Sequence, residues 1–161
     1  MNSLTDRLFR HMSWANNYVF DQLATLSAEE LKYTAPNDEW TAAEILEHIT
    51  GNRYADLLDG LGYTPMKVPT NSEEVLTLKE LSAGFDARLR EAAKNEVGHI
   101  EYQRDGRTIR RARQTILAQA IHHATEHRAQ IAGIFASRGM KVIDLDEIDL
   151  WAFANYENVG D

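Results

Sequence analysis

Apolar residues recur at steps of three and four along four stretches of this chain, and each pattern predicts an amphipathic helix. The longest uninterrupted by proline is 112–138, where Ile116, Ala120, His123, His127, Ile131 and Ile134 share one stripe. Gly139 supplies its stop. Two histidines four residues apart therefore project from a face expected to be buried. The first helix is predicted from Leu4 to Leu26, N-capped by Ser3, with a core stripe of Leu4, Leu8, Met12, Ala15, Val19, Leu23 and Leu26. His11 and Trp14 lie beside that stripe and read as a core-edge histidine and a packed indole. The second helix opens on a capping box, Thr41-Ala42-Ala43-Glu44, with Trp40 placed to staple against Ile45. Its buried face is Ile45, Leu46, Ile49, Leu57 and Leu58, and His48 and Asn52 stand four apart at the border. A third box, Thr77-Leu78-Lys79-Glu80, is expected to start a helix with Leu78, Leu81, Phe85, Leu89 and Ala92 inward.

The connections carry their own signals. Ser27-Ala28-Glu29-Glu30 reads as a capping box for a short helical turn that ends in the loop around Pro36. Gly60, Gly62, Pro65 and Pro69 mark a long link to about Thr77. Its ~16 residues could span over 50 Å, so the second and third helices need not be antiparallel. Asp105-Gly106 is the pair favoured in tight hairpins, and Ile100-Glu101-Tyr102 and Thr108-Ile109-Arg110 alternate as short strands around it. His99 beside it reads as a surface residue. After Gly139, Asp144 with Glu147 is expected to cap a short final helix that docks through Ile148 and Trp151. One domain, 1–161, follows, with a core over 4–138 and a docking tail over 140–161.

Composition narrows the function. Seventeen basic residues against 25 acidic ones give a net charge of −8, with no cationic block. That argues against a nucleic-acid partner, whose phosphates are held mainly by cations. No apolar run approaches a membrane span and no signal-peptide layout is present, so no membrane partner and a cytoplasmic location are expected. The absence of cysteine excludes disulfides and protein thiolates. A metal would be held by nitrogen and oxygen, and a reactive thiol would come from outside.

His123 and His127 sit one helical turn apart, so both rings can reach one point. Zinc and its first-row neighbours take neutral imidazole well. A third ligand would have to come from a facing helix, and His48 is the candidate. His122 lies about 100° from His123 and is read as pairing with Glu126 or facing solvent. The competing reading is a pair of core-edge histidines hydrogen-bonded to side chains or water. Metalloprotease chemistry is not indicated, because Ala124 stands where that motif has its glutamate.

Four pieces, in order, resemble the DinB/YfiT-like family of four-helix-bundle proteins: Trp14-Ala15-Asn16, His48 within Ala43-Glu44-Ile45-Leu46-Glu47-His48-Ile49, the Asp105-Gly106 hairpin, and His123-Ala124-Thr125-Glu126-His127-Arg128-Ala129-Gln130-Ile131. The likeness covers roughly residues 4–138. It implies an all-α four-helix bundle of up-down-down-up topology, with a long crossover between helices two and three and a small β-hairpin between helices three and four. It also implies a divalent metal, zinc or nickel, on His48, His123 and His127, and a homodimer. Characterised relatives include transferases and isomerases that use low-molecular-weight thiols. The expected activity is therefore a metal-dependent transferase that activates such a thiol as co-substrate toward a small-molecule substrate. Metal-dependent hydrolysis and a non-catalytic metal- or ligand-binding stress protein stand as alternatives. Asn52, Glu126, Arg128 and Gln130 are candidates to support or pack around the ligands, and no catalytic residue is assigned. His122 and Ala129 depart from the usual Asn and Gly of the family pattern.

Overall fold

A computed structural model describes residues 4–36 and 39–158. The architecture is mostly helical: α1 spans Leu4–Leu23, α2 Ala42–His48, α3 Asn52–Leu58, α4 Ser72–Ala92, α5 Arg113–Ala136 and α6 Leu150–Glu157. Between α4 and α5, β1 (His99–Arg104) and β2 (Arg107–Ala112) pair as an antiparallel hairpin, in register from His99 opposite Ala112 to Arg104 opposite Arg107. Asp105 and Gly106 both take positive φ, 52° and 73°, the conformation that a two-residue hairpin turn requires. His99 is exposed. The Ser3 cap expected for α1 lies outside the described residues.

Several element boundaries differ from expectation for local reasons. The regular part of α1 stops at Leu23, and residues 24–26 continue only as hydrogen-bonded turns. Its stripe is also rotated. Leu4 is exposed, whereas Phe9 and Phe20 are fully buried beside Met12, Ala15, Val19 and Leu23. The single helix expected from Thr41 to Leu58 is two seven-residue helices. The capping box at Thr41 forms as expected, with Glu44 N–H donating to Thr41 Oγ1 at 3.2 Å and Thr41 N–H to Glu44 Oε2 at 2.7 Å. The chain then turns at Gly51, whose φ is +78°, and a Cβ there would stand 2.9 Å from Leu89 Cδ1. Glycine is needed for both the left-handed backbone and the close approach.

Helix α4 begins nearly two turns before the expected Thr77 box, with Asn71 as its N-cap. Asn71 Oδ1 accepts Glu74 N–H at 3.0 Å, and Glu74 Oε2 accepts the Thr70 N–H and hydroxyl, each at 2.8 Å. Thr77 lies inside the helix with its hydroxyl on the Glu73 carbonyl. Leu81 is half exposed, while Ser82 and Asp86 face inward with Val75, Leu78 and Leu89. In the tail, Asp144 accepts the Asp146 N–H and pairs with Lys141 at 2.7 Å, whereas Asp149 caps α6 through the Ala152 N–H at 2.7 Å. That offset rotates the helix. Ile148 docks as expected, Trp151 is 72% exposed, and Phe153 packs against His11 and Trp14 in its place.

Helix α1 packs on α4 and α5, and α5 also packs on α2 and α3, with α3 in turn against α4. Two apolar clusters fill the interior. One gathers Val19, Phe20, Ile45, Leu46, Ile131 and Phe135; the other gathers Phe9, Met12, Leu58, Leu89, Ile116 and Leu117. Among the buried polar residues are Asn16, Thr50, Ser82, Asp86 and Arg128, in the helices and at the α2–α3 break. Arg128 Nη1 donates to Asn16 Oδ1 at 2.7 Å, and Asn16 Nδ2 to the Ile49 carbonyl at 3.2 Å. This polar seam immediately adjoins the candidate site in sequence, at His48 and His127. No helix is long and apolar enough to cross a membrane, among the described residues.

Candidate metal centre

His48 is the last residue of α2, and His123 and His127 stand one turn apart on α5. The packing of α2 on α5 brings the three together. Their ring centroids are 4.7 Å (His48–His123), 5.0 Å (His48–His127) and 4.2 Å (His123–His127) apart. One ring nitrogen from each lies within 4.8 Å of the others. Contrary to the expected stripe, the α5 histidines do not occupy the deepest line of the helix. Ala120, Ala124, Arg128 and Ile131 do, and the histidines are half-buried beside them. That lateral position leaves room for a ligand.

The nitrogen geometry tests the metal reading. Nε2 of His123 and Nε2 of His127 are 3.2 Å apart. Two nitrogens ~2.0–2.1 Å from one ion stand ~2.9 Å apart at a right angle and ~3.4 Å apart at the tetrahedral angle. The observed separation falls between those limits. His127 Nδ1–H donates to Gln130 Oε1 at 2.9 Å, which leaves the Nε2 lone pair toward His123. Burial pushes His48 down to about 4, helped by the nearby His127 and Arg53. His123 is likewise pushed down to about 4 by burial, then by His127, His48 and Arg53. Both rings are therefore neutral at pH 7, the form a metal binds. Three imidazoles with converging ring nitrogens fit a zinc-like or nickel-like divalent ion.

Two aromatic side chains shape the surroundings. Trp40 stands edge-on to His48 at 4.8 Å and stacks on His127 at 5.9 Å, so it covers the imidazoles. Tyr54 meets His123 edge-on at 5.4 Å. Neither ring was evident as part of the site in the sequence, because Trp40 precedes its helix and Tyr54 lies beyond the break at Gly51. Gln130 was accessible through its three-residue spacing from His127. Of the other proposed supports, Asn52 Nδ2 donates to the Thr64 carbonyl at 3.1 Å, Arg128 belongs to the polar seam, and Glu126 is exposed. His122 is exposed, as expected. A cleft of ≈ 750 Å³ opens between α3, the loop after it, β1 and α5, and His123 forms part of its wall.

With this geometry in place, the family model of the DinB family matches residues 1–157. The chain belongs to the DinB family. No curated protein and no solved structure matches it. Family membership agrees with the resemblance carried by Trp14-Ala15-Asn16 and by the two histidine segments. In this DinB-family chain, the same segments contribute Asn16 to the seam and His48, His123 and His127 to the cluster that could hold a metal.

Proposed function

We propose that this chain is a divalent-metal protein, with His48, His123 and His127 as ligands, that presents a low-molecular-weight thiol to a small-molecule electrophile. The observation that carries the reading is the convergence of three ring nitrogens beside a cleft able to admit both reactants. A bound zinc or nickel ion would supply a Lewis-acid position that holds a thiol sulfur as thiolate at neutral pH. The chain's own groups prepare that position. Gln130 fixes the His127 tautomer, burial keeps His48 and His123 neutral, and Trp40 screens the rings from water. The Arg128–Asn16 bond ties α5 to α1 and holds the helix that carries two of the imidazoles. Hydrolysis has less support, because Glu47, next to His48, has its carboxylate on the Met66 N–H at 2.9 Å.

The same proposal includes a single domain built as an up-down-down-up bundle. Supporting contacts gather the start of α1, the ends of α3 and α4, and the start of α5. Thr5 bonds Glu96 at 2.6 Å, and Arg113 reaches the carbonyls of Leu58, Ala92 and Asn95. The Ser72 hydroxyl on the Ala24 carbonyl ties the opposite ends of α4 and α1. A homodimer follows from the family resemblance, and the net charge of −8 supports the absence of a nucleic-acid partner.

Metal analysis of purified wild-type protein and of His123→Ala tests the site. We expect stoichiometric metal in the wild type and its loss in a variant that remains folded by circular dichroism. No metal in either protein overturns the proposal. Consumption of a chlorinated aromatic electrophile with a panel of thiols, with and without chelator, then tests turnover. Consumption that is independent of thiol and insensitive to chelator would reject the transferase reading.

A further inference from the structure

The cleft beside His123 is basic although the chain as a whole is acidic. The protein is acidic overall, yet Arg53, Arg104 and Arg111 line this one cavity against a single acid, Glu101. The hairpin's alternation explains the arrangement. Residues paired across an antiparallel ladder share a face, and alternate residues along a strand share it too. Ile100 packs on the apolar cluster under the hairpin, so its face looks toward the helices. Arg111 is paired with Ile100, and Tyr102 and Arg104 follow Ile100 at steps of two, so all three share that face. Glu101 alternates with that face yet still borders the cleft, and it is 3.8 Å from Arg110.

None of the three guanidinium groups is consumed by a buried ion pair, among the described residues. Arg53 lies over the Tyr63 ring at 5.8 Å, Arg104 is 3.6 Å from the exposed Asp105, and Arg111 donates to the Arg110 carbonyl. The lining also includes the apolar Leu57, Leu61 and Ile116. Along α5 the lining runs Thr115, Gln119, His123 at steps of four, so the cleft follows the helix for ~12 Å.

We propose that this cleft takes a small organic anion, a carboxylate or phosphate on an apolar body, with its charged end on Arg104 and Arg111 and its other end at His123. The inference rests on the metal-site reading only for what happens at the His123 end. It adds two specificity-determining residues on the hairpin and a reach to the substrate class. An arginine fork suits either headgroup, and an exposed hairpin can be substituted without opening the core.

The test is calorimetric titration of the full chain, at low salt, with octanoate, octyl phosphate and octan-1-ol, all below micellar concentrations. We expect at least one anion to bind about tenfold tighter than the alcohol, and the better of the two names the headgroup. In Arg104→Gln/Arg111→Gln that preference should disappear while alcohol binding is unchanged, with folding checked by circular dichroism. Added salt should erase the same preference in the wild type, a readout that needs no variant. Equal binding of alcohol and anions, no binding of any probe, or a preference that survives both the substitutions and salt overturns the proposal. The metal reading is separated by titrating cobalt-loaded protein with 8-mercaptooctanoate and following sulfur-to-cobalt absorption. Arginine-dependent octanoate binding without that band defeats the thiol reading alone, whereas the band without charge selectivity defeats the anion cleft alone.

Discussion

Helix α5 carries two polar clusters that differ in what satisfies them. On its deepest line, Arg128 is buried and spends its donors on protein acceptors, Asn16 Oδ1 at 2.7 Å and Thr125 Oγ1 at 3.0 Å. One residue earlier, His127 is half-buried, and its Nε2 faces another ring nitrogen at 3.2 Å. Burial lowers both kinds of basic group: Arg128 is brought down to about 10, against the pull of Asp86, and His48 and His123 to about 4. The arginine nevertheless keeps its proton at neutral pH and supplies donors to the interior. His48 and His123 lose theirs, and one ring nitrogen of each of the three histidines faces the others. A donor among acceptors is complete as it stands; lone pairs that converge on one point call for a cation. The seam should therefore govern stability and the cluster should govern metal affinity, and each can be broken without the other.

The largest expected effect is on the seam. Arg128→Met keeps the side chain's apolar reach and deletes the guanidinium, leaving Asn16 Oδ1 and Asp86 in the interior without it. At pH 8 the cost should be about 3–5 kcal/mol of unfolding free energy, read by urea denaturation. Metal stoichiometry of the folded fraction should be unchanged; loss of metal with intact stability would reverse the two assignments. A somewhat smaller effect is expected at Asp86. Burial raises its carboxyl to about 6, opposed by the Ser13 hydrogen bond and the charges of Arg128 and Arg90. Its Oδ1 has no hydrogen-bond partner, among the described residues. Because the folded pKa lies above the unfolded one, the folded chain holds the extra proton between about pH 4 and 6. That contribution is fully present below the unfolded pKa and is lost as pH rises through 6. Asp86→Asn should remove this dependence and gain up to about 3 kcal/mol at pH 8 relative to its standing at pH 4. Parallel pH profiles for the two proteins would count against the assignment.

The two clusters were unequally legible in the sequence. The histidine pair stood out because a four-residue spacing on a periodic helix is visible in one dimension, and the family pattern pointed to His48 as its partner. Asp105-Gly106 identified the hairpin turn through backbone chemistry alone. Arg128 stood out only as a residue that could pack around the ligands; its seam was hidden, because Asp86 and Ser82 are residue types normally read as surface, and only the packed helices show which lie inward. The break at Gly51 was hidden for a related reason. A lone glycine within a periodic run is tolerated in a helix, and its role here comes from a left-handed φ of +78° and from Leu89, 38 positions away in sequence. Trp151 and Phe153 exchanged roles because Asp149, not Asp144, caps α6, and a shift of cap rotates every residue behind it.

The smallest expected effect is the one most specific to the cluster. Gln130 Oε1 accepts the His127 Nδ1–H at 2.9 Å, and that bond keeps the Nε2 lone pair turned toward His123. Gln130→Leu preserves volume and helix propensity but frees the ring to take the other tautomer or rotate. Metal affinity should fall roughly 10–100-fold, measured by competition with a chromophoric chelator. Gln130→Glu offers a carboxylate acceptor at the same place and should retain or exceed wild-type affinity. Unfolding of the metal-free protein should change little in either variant, because Gln130 lies outside the seam whose loss destabilises Arg128→Met. If Gln130→Leu binds metal as tightly as the wild type, His127 is oriented by packing against Trp40 and not by this hydrogen bond. If it instead destabilises the metal-free chain as much as Arg128→Met, the two clusters form one structural unit and the division between them fails.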